Sequence, residues 1–141
     1  MKIRVMFASL LSFILGIGAS AYSQTICGSW DFVSSPNNGQ EENRLRSISA
    51  VSEDDVWAVG FYDASSGSSF LPRGLITHWD GANWSIVPAP TVGISGDFLF
   101  GVTAISTDDV WAVGFSSTFG EAQALTLHWN GSSWSVVPSP T

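Results

Sequence analysis

Apolar positions fall in short runs from residue 45 onward, with the period of strands rather than helices. In Asp55–Tyr62, Trp57, Val59 and Phe61 alternate with Val56, Ala58 and Gly60. Both sets are apolar, so the strand predicted here is buried on both faces. Leu45–Ser52 precedes it, and Gly74–Trp79 and Trp84–Val87 follow, giving four short strands. The same order recurs as Leu99–Ser106, Asp109–Ser116, Ala124–Trp129 and Trp134–Val137. Asp80-Gly81 and Asn130-Gly131 predict tight turns between third and fourth strands. Pro88, Pro90, Pro138 and Pro140 end the fourth strands and would break a helix.

The recurrence is a sequence repeat. LRSISAVSEDDVWAVGF (45–61) and LFGVTAISTDDVWAVGF (99–115) agree at 11 of 17 positions. HWDGANWSIVPAPT (78–91) and HWNGSSWSVVPSPT (128–141) agree at 9 of 14. A weaker copy of the second motif comes earlier, where Trp30, Val33 and Pro36 match Trp84, Val87 and Pro90. Trp30 to Trp57 and Trp84 to Trp111 are both 27 residues, whereas Trp57 to Trp79 is 22 and Trp111 to Trp129 is 18. The variation is confined to a Ser/Gly-rich stretch, as in a surface loop. A repeat of 50 to 54 residues indicates a solenoid, propeller or array.

Four strands per repeat, apolar on both faces, describe a propeller blade. Small residues in the first strand (Ser47, Ser49, Ala50; Gly101, Thr103, Ala104) suit a crowded axis. The expected fold is all-β: two four-stranded antiparallel propeller-type blades plus one orphan N-terminal strand, Trp30–Val33, making an incomplete β-propeller. The expected division is a signal peptide at 1–21, an N-terminal segment at 22–44, a first blade at 45–91, a linker at 92–98 and a second blade at 99–141. DVWAVG followed by HW[DN]GxxW and VPxP resembles the repeat arrays of secreted bacterial β-propeller proteins, loosely kelch-like or Asp-box-like, over residues 28–141. The kelch Gly-Gly pair is missing, and Ser52-Glu53-Asp54-Asp55-Val56-Trp57 is shorter than an Asp box and lacks its Gly. W-D-G-x-x-W is also similar to a motif of small lectins that close a ring from two-blade chains. Two blades cannot close a propeller of about four to eight. The simplest expectation is the N-terminal part of a longer array, with further blades in cis; the competing one is closure by other copies of the same chain.

The N-terminus changes the setting. Lys2 and Arg4 precede the apolar run Val5–Ile17, and Ala19-Ser20-Ala21 offers a cleavage pattern, the layout of a secretory signal peptide cut between Ala21 and Ser23. The expected location is outside the cytoplasm: periplasm, cell surface or medium. Thirteen apolar residues fall short of the roughly 20 of a spanning helix, so no membrane role beyond the leader is expected. Without the leader, the bases are Arg44, Arg46 and Arg73 against 12 acids, a net charge of −9. That balance excludes a basic nucleic-acid groove. A single cysteine, Cys27, allows no internal disulfide, and two histidines beside it make a poor zinc set.

Candidate chemistry is sparse. The chain has no G-x-S-x-G, P-loop or H-E-x-x-H motif, and no catalytic residue, metal or cofactor is expected. His78/His128 and Asp54-Asp55/Asp108-Asp109 recur in both copies, which favours structural roles. For the aspartates we expect turns in which a carboxylate accepts backbone N–H groups rather than calcium. Trp79, Trp84, Trp129 and Trp134 are candidate sugar platforms. Residues that break the repeat are the other ligand-binding candidates: Tyr62, Asp63 and Arg73 around the longer loop, and Asp97 and Phe98 between repeats. The loops joining strands two to three, and four to the next one, fall at one end of a blade, where these side chains would converge. The expected function is non-catalytic binding of a protein or other ligand. The alternatives are a lectin-like carbohydrate-binding module, or a fragment of a glycan-acting propeller enzyme whose catalytic residues lie elsewhere.

Overall fold

In the computed structural model, which describes residues 32–39, 42–67 and 69–139, eight strands form and no helix. The first sheet holds β1 (Asn43–Ser52), β2 (Asp55–Asp63), β3 (Pro72–Trp79) and β4 (Trp84–Ile86); the second holds β5 (Gly96–Ser106), β6 (Asp109–Thr118), β7 (Glu121–Trp129) and β8 (Trp134–Val137). Each is an antiparallel meander in chain order. All eight predicted strands are present. The leader, Cys27 and Trp30 lie outside the described residues. Phe32–Pro36 are described but form no strand, which corrects the expected orphan strand at its C-terminal half. Val33–Pro36 instead border a hollow shared with Asn83 and Trp84.

A second correction concerns the linker. Gly96, Asp97 and Phe98 belong to β5, not to a loop. They have partners because β6 runs on to Thr118, pairing Gly96 with Ser117, Asp97 with Ser116 and Phe98 with Phe115. The β6–β7 connection is then only Phe119-Gly120, both at positive φ (50° and 89°), the backbone of a tight hairpin turn. The first sheet joins β2 to β3 through residues 64–71 instead.

Both sheets carry the same irregularity. The register shifts between Leu45 and Ser47, and between Leu99 and Gly101, so Arg46 and Phe100 bulge. Gly60 and Gly114 lie opposite, where a Cβ would collide with the carbonyl of Arg44 or Phe98. Only glycine lets the backbones approach that closely.

The core is a joint between sheets. Trp57, Val59 and Ile76 from the front face of the first sheet pack with Leu99, Val110, Ala112, Leu125, Leu127 and Trp134 from the back face of the second. Trp57 touches Trp129 and Trp134 at ring-centroid distances of 5.1 and 5.5 Å. Each aliphatic side chain so buried contributes about 1.5–3 kcal/mol. Toward the inner edge, the Val102 and Ala104 N–H groups donate to the hydroxyls of Ser47 (3.3 Å) and Ser49 (3.0 Å). Small polar residues in β1 thus satisfy a strand edge that would otherwise be open.

Candidate functional site

The two ends of the sheets are built differently. At the end holding the β1–β2 and β3–β4 turns, the shared residues bond one another. His78 Nε2 and Asp55 Oδ1 are 2.9 Å apart, as are His128 Nε2 and Asp109 Oδ1. Trp57 and Trp111 lie against these imidazoles at 4.3 and 4.4 Å. The indole N–H groups of Trp79 and Trp129 donate to the carbonyls of Glu53 and Thr107. Asp80 Oδ1 accepts the Ala82 and Asn83 N–H groups, and Asn130 Oδ1 those of Ser132 and Ser133. These bonds hold the Asp80 carboxyl below its ordinary value. The expected backbone-capping role belongs to Asp80 and Asn130; Asp55 and Asp109 pair with histidine instead. The signal was present in the sequence, because both members recur together.

At the opposite end the connections differ between repeats, and most of the candidates meet there. Asp97 is buried and accepts the N–H of Val92 on Oδ2 (3.1 Å) and of Gly93 on Oδ1 (2.7 Å). Arg73 Nη1 lies 3.9 Å from Asp97 Oδ2 and donates to the carbonyls of Pro72 (3.2 Å) and Gly93 (3.1 Å). The pair latches the segment between the sheets to β3. Asp63 Oδ1 takes the Leu71 and Ser65 N–H groups, both at 2.9 Å, and closes the 64–71 loop. Those two bonds lower its pKa. Tyr62 is half-buried, opposite Asn43 and Arg73 in the register. Phe98 is the hub of an aromatic cluster, 4.9 Å from Phe61, 6.4 Å from Phe70, 6.2 Å from Phe100 and 4.7 Å from Phe115. Arg46 stands 5.4 Å over the Phe61 ring.

The structure therefore gathers Tyr62, Asp63, Arg73, Asp97 and Phe98 at one end, but the charged groups among them face local backbone. Among serines and Glu121, the end also presents large apolar side chains outward: Phe70, Val92, Ile94 and Phe119 are exposed, Phe119 to 85 %. Ile94 N–H donates to Thr118 Oγ1, Ser95 N–H to the Ser117 carbonyl and Phe119 N–H to Ser95 Oγ, so the linker and the β6–β7 turn form one continuous rim. Sequence reasoning missed these residues. Their signal was a lone large apolar residue in a Ser/Gly-rich connection, as in SGSSFLP and SSTFGE.

The tryptophan candidates separate. Trp134 is buried against Trp57, and the half-buried Trp129 packs beside it in the same joint. Trp79 and Trp84 are half-buried, 5.8 Å apart, and Trp84 borders a hollow of about 350 Å³ shared with Val33–Pro36. Among the described residues, no group of three or more His, Cys, Asp or Glu could hold a metal ion, and no helix is long and apolar enough to cross a membrane. Compared with protein-family models, curated proteins and solved structures, the chain matches none.

Proposed function

We propose that the chain is a secreted, non-catalytic module of propeller-type blades that binds a protein or other ligand through its variable rim. The observation that carries this reading is the division of labour between the ends. Residues shared by the repeats bond inward, while the residues that differ place Phe70, Val92, Ile94 and Phe119 in solvent on one rim. Clustered exposed apolar side chains on loops, held by a rigid scaffold, are the usual make-up of an interaction surface. The acidic balance favours a neutral or basic partner. The set of blades is completed from outside the described sheets, by further repeats of the polypeptide or by other copies.

An array of extracellular peptides and glycans, probed with the secreted protein and with Phe70→Ser/Phe119→Ser, tests the reading. Ligands retained by the parent and lost by the double variant, at unchanged circular dichroism, support it. Undiminished binding by the variant ends it. The lectin-like reading has one observation of its own, the accessible Trp79–Trp84 pair beside its hollow. It predicts glycan binding that Trp84→Ala abolishes and the rim variant leaves intact.

A further inference from the structure

The joint inside the chain is made from two unlike faces, and each face has a second version elsewhere in the chain. The front face of the first sheet presents Trp57, Val59 and Phe61; the second sheet repeats it as Trp111, Val113 and Phe115. The back face of the second sheet presents Leu99, Val102 and Ala112; the first repeats it as Leu45, Ile48 and Ala58. Exposure separates the versions at Val113 and along the β1 edge, whereas in the middle of the sheet Ala58 and Leu75, both 2 % exposed, are as buried as Ala112 and Leu125. Val59 is 0 % exposed and Val113 50 %; Leu99 is 0 % and Leu45 46 %, with Ile48 at 65 %. Val59 packs in the core with Leu99, Val102 and Ala112. The corresponding residues of the first sheet, Leu45, Ile48 and Ala58, line an open hollow of about 290 Å³.

We propose that the front face of the second sheet docks on the back face of the first sheet in another copy of this chain, with Val113 entering the Leu45/Ile48/Ala58 hollow. The occupant is argued from the chain itself: knob and hollow are versions of a pair that already fits. The inner edge supports the same pairing. Thr103 stands where Ser49 stands, placed to accept the Ala50 N–H of the next copy as Ser49 accepts that of Ala104. Val113, Leu45, Ile48 and Ala58 are uncharged, and the one charged residue lining the hollow, Arg46, sits exposed at the β1 bulge. The seat is the inner half of the sheet; Val33–Pro36 border its outer edge at Trp84. Such a joint is heterologous, so it either closes a ring or runs on as a filament. The proposal rests on the propeller-type reading of the blades, and with two per copy a closed ring of about four to eight blades takes two to four copies.

The test is sedimentation velocity of the secreted protein and of two variants, Val113→Asp and Ile48→Asp, with folding followed by circular dichroism. A carboxylate forced into an apolar joint weakens association by about a hundredfold or more. The expected result is an assembly of two to four copies for the parent, monomers for each variant, and a two-chain complex when the variants are mixed, because the mixture restores one intact pair of faces. If Val113→Asp fails to fold, Val113→Thr replaces it with a smaller weakening in the same direction. A monomeric parent at every concentration overturns the proposal and assigns the faces to further repeats of the polypeptide. Assembly unchanged in Ile48→Asp, or no complex from the mixture, overturns it equally. Rim binding is read separately at Phe70 and Phe119, so the failure of one reading leaves the other measurable.

Discussion

Trp57 and Trp111 occupy the same position in two copies of one motif, and their surroundings differ. Trp57 is buried between the sheets, touching Trp129 and Trp134, and its Nε1–H has no hydrogen-bond partner. Asp55 Oδ2 and Trp134 Nε1 beside it are also unpartnered. Trp111 is half-buried, and its Nε1–H donates to Asp109 Oδ1 at 2.8 Å. An unmade buried hydrogen bond costs about 1–3 kcal/mol. Burial of a whole indole against three aromatic rings outweighs that cost, since aromatic side chains bury about 150–250 Å² each. The same sequence thus gives a packing residue where a partner sheet is present and a hydrogen-bonded residue where none is. Context, not the motif, decides between the two.

That contrast orders the predictions. In an Ile48→Asp background that keeps the chain monomeric, Trp57→Ala should lower unfolding free energy by about 3–5 kcal/mol, the range for removing a buried aromatic. Trp111→Ala should lower it by about a third as much. Equal losses in urea titrations of the two variants would remove the difference between the sheets. Asp97→Ala leaves the Val92 and Gly93 N–H groups without their acceptor, at about 1–3 kcal/mol. The first sheet carries an uncharged counterpart of this latch: the equivalent of Asp97 is Asn43, whose Oδ1 accepts the Asn38 N–H at 2.8 Å and whose side-chain amide donates to the Asn38 carbonyl. Hydrogen exchange at Gly93 should accelerate in that variant while the β6–β7 amides keep their protection.

The pH dependence separates the connections. Asp63 has a carboxyl pKa below its unfolded value because the Leu71 and Ser65 N–H groups bond its charged form. Its contribution is present above the ordinary carboxylate pKa of 3.8 and is lost as pH falls through the lower, folded one. Exchange protection of Leu71 should fall on acidification, and Asp63→Asn should flatten that profile. The Phe119-Gly120 turn, held by backbone pairing and by the Phe119 N–H bond to the Ser95 hydroxyl rather than to a carboxylate, should show no such change. The smallest effect belongs to the rim. Phe119→Ser, at a side chain almost wholly in solvent, should change stability by no more than about 0.5 kcal/mol.

Much of the architecture was legible before any coordinates. Period-two alternation located all eight strands, and Asp80-Gly81 and Asn130-Gly131 marked their turns, because these are local preferences written in single residues. The beginning of β5 was not legible. Asp97 and Phe98 look like linker until β6 is known to extend to Thr118 and offer them partners. Pairing of Asp55 with His78 was half legible: both recur, but only the fold shows that β2 and β3 bring them together. The rim escaped because exposure of Phe70 or Phe119 depends on what the loop lies against. Trp134 shows the reverse: it looks like Trp84 in the sequence, and only the fold buries it in the joint.

The bulge opposite Gly60 and Gly114 reaches beyond local geometry. Both copies keep a bulge and its facing glycine together, because any other residue at that place would bring a Cβ onto a carbonyl. The strand interiors are thereby tied pairwise, while Phe98 and Phe100 stand where the first copy has Arg44 and Arg46. An arginine pair and a phenylalanine pair can thus stand beside the variable end on one and the same backbone shape.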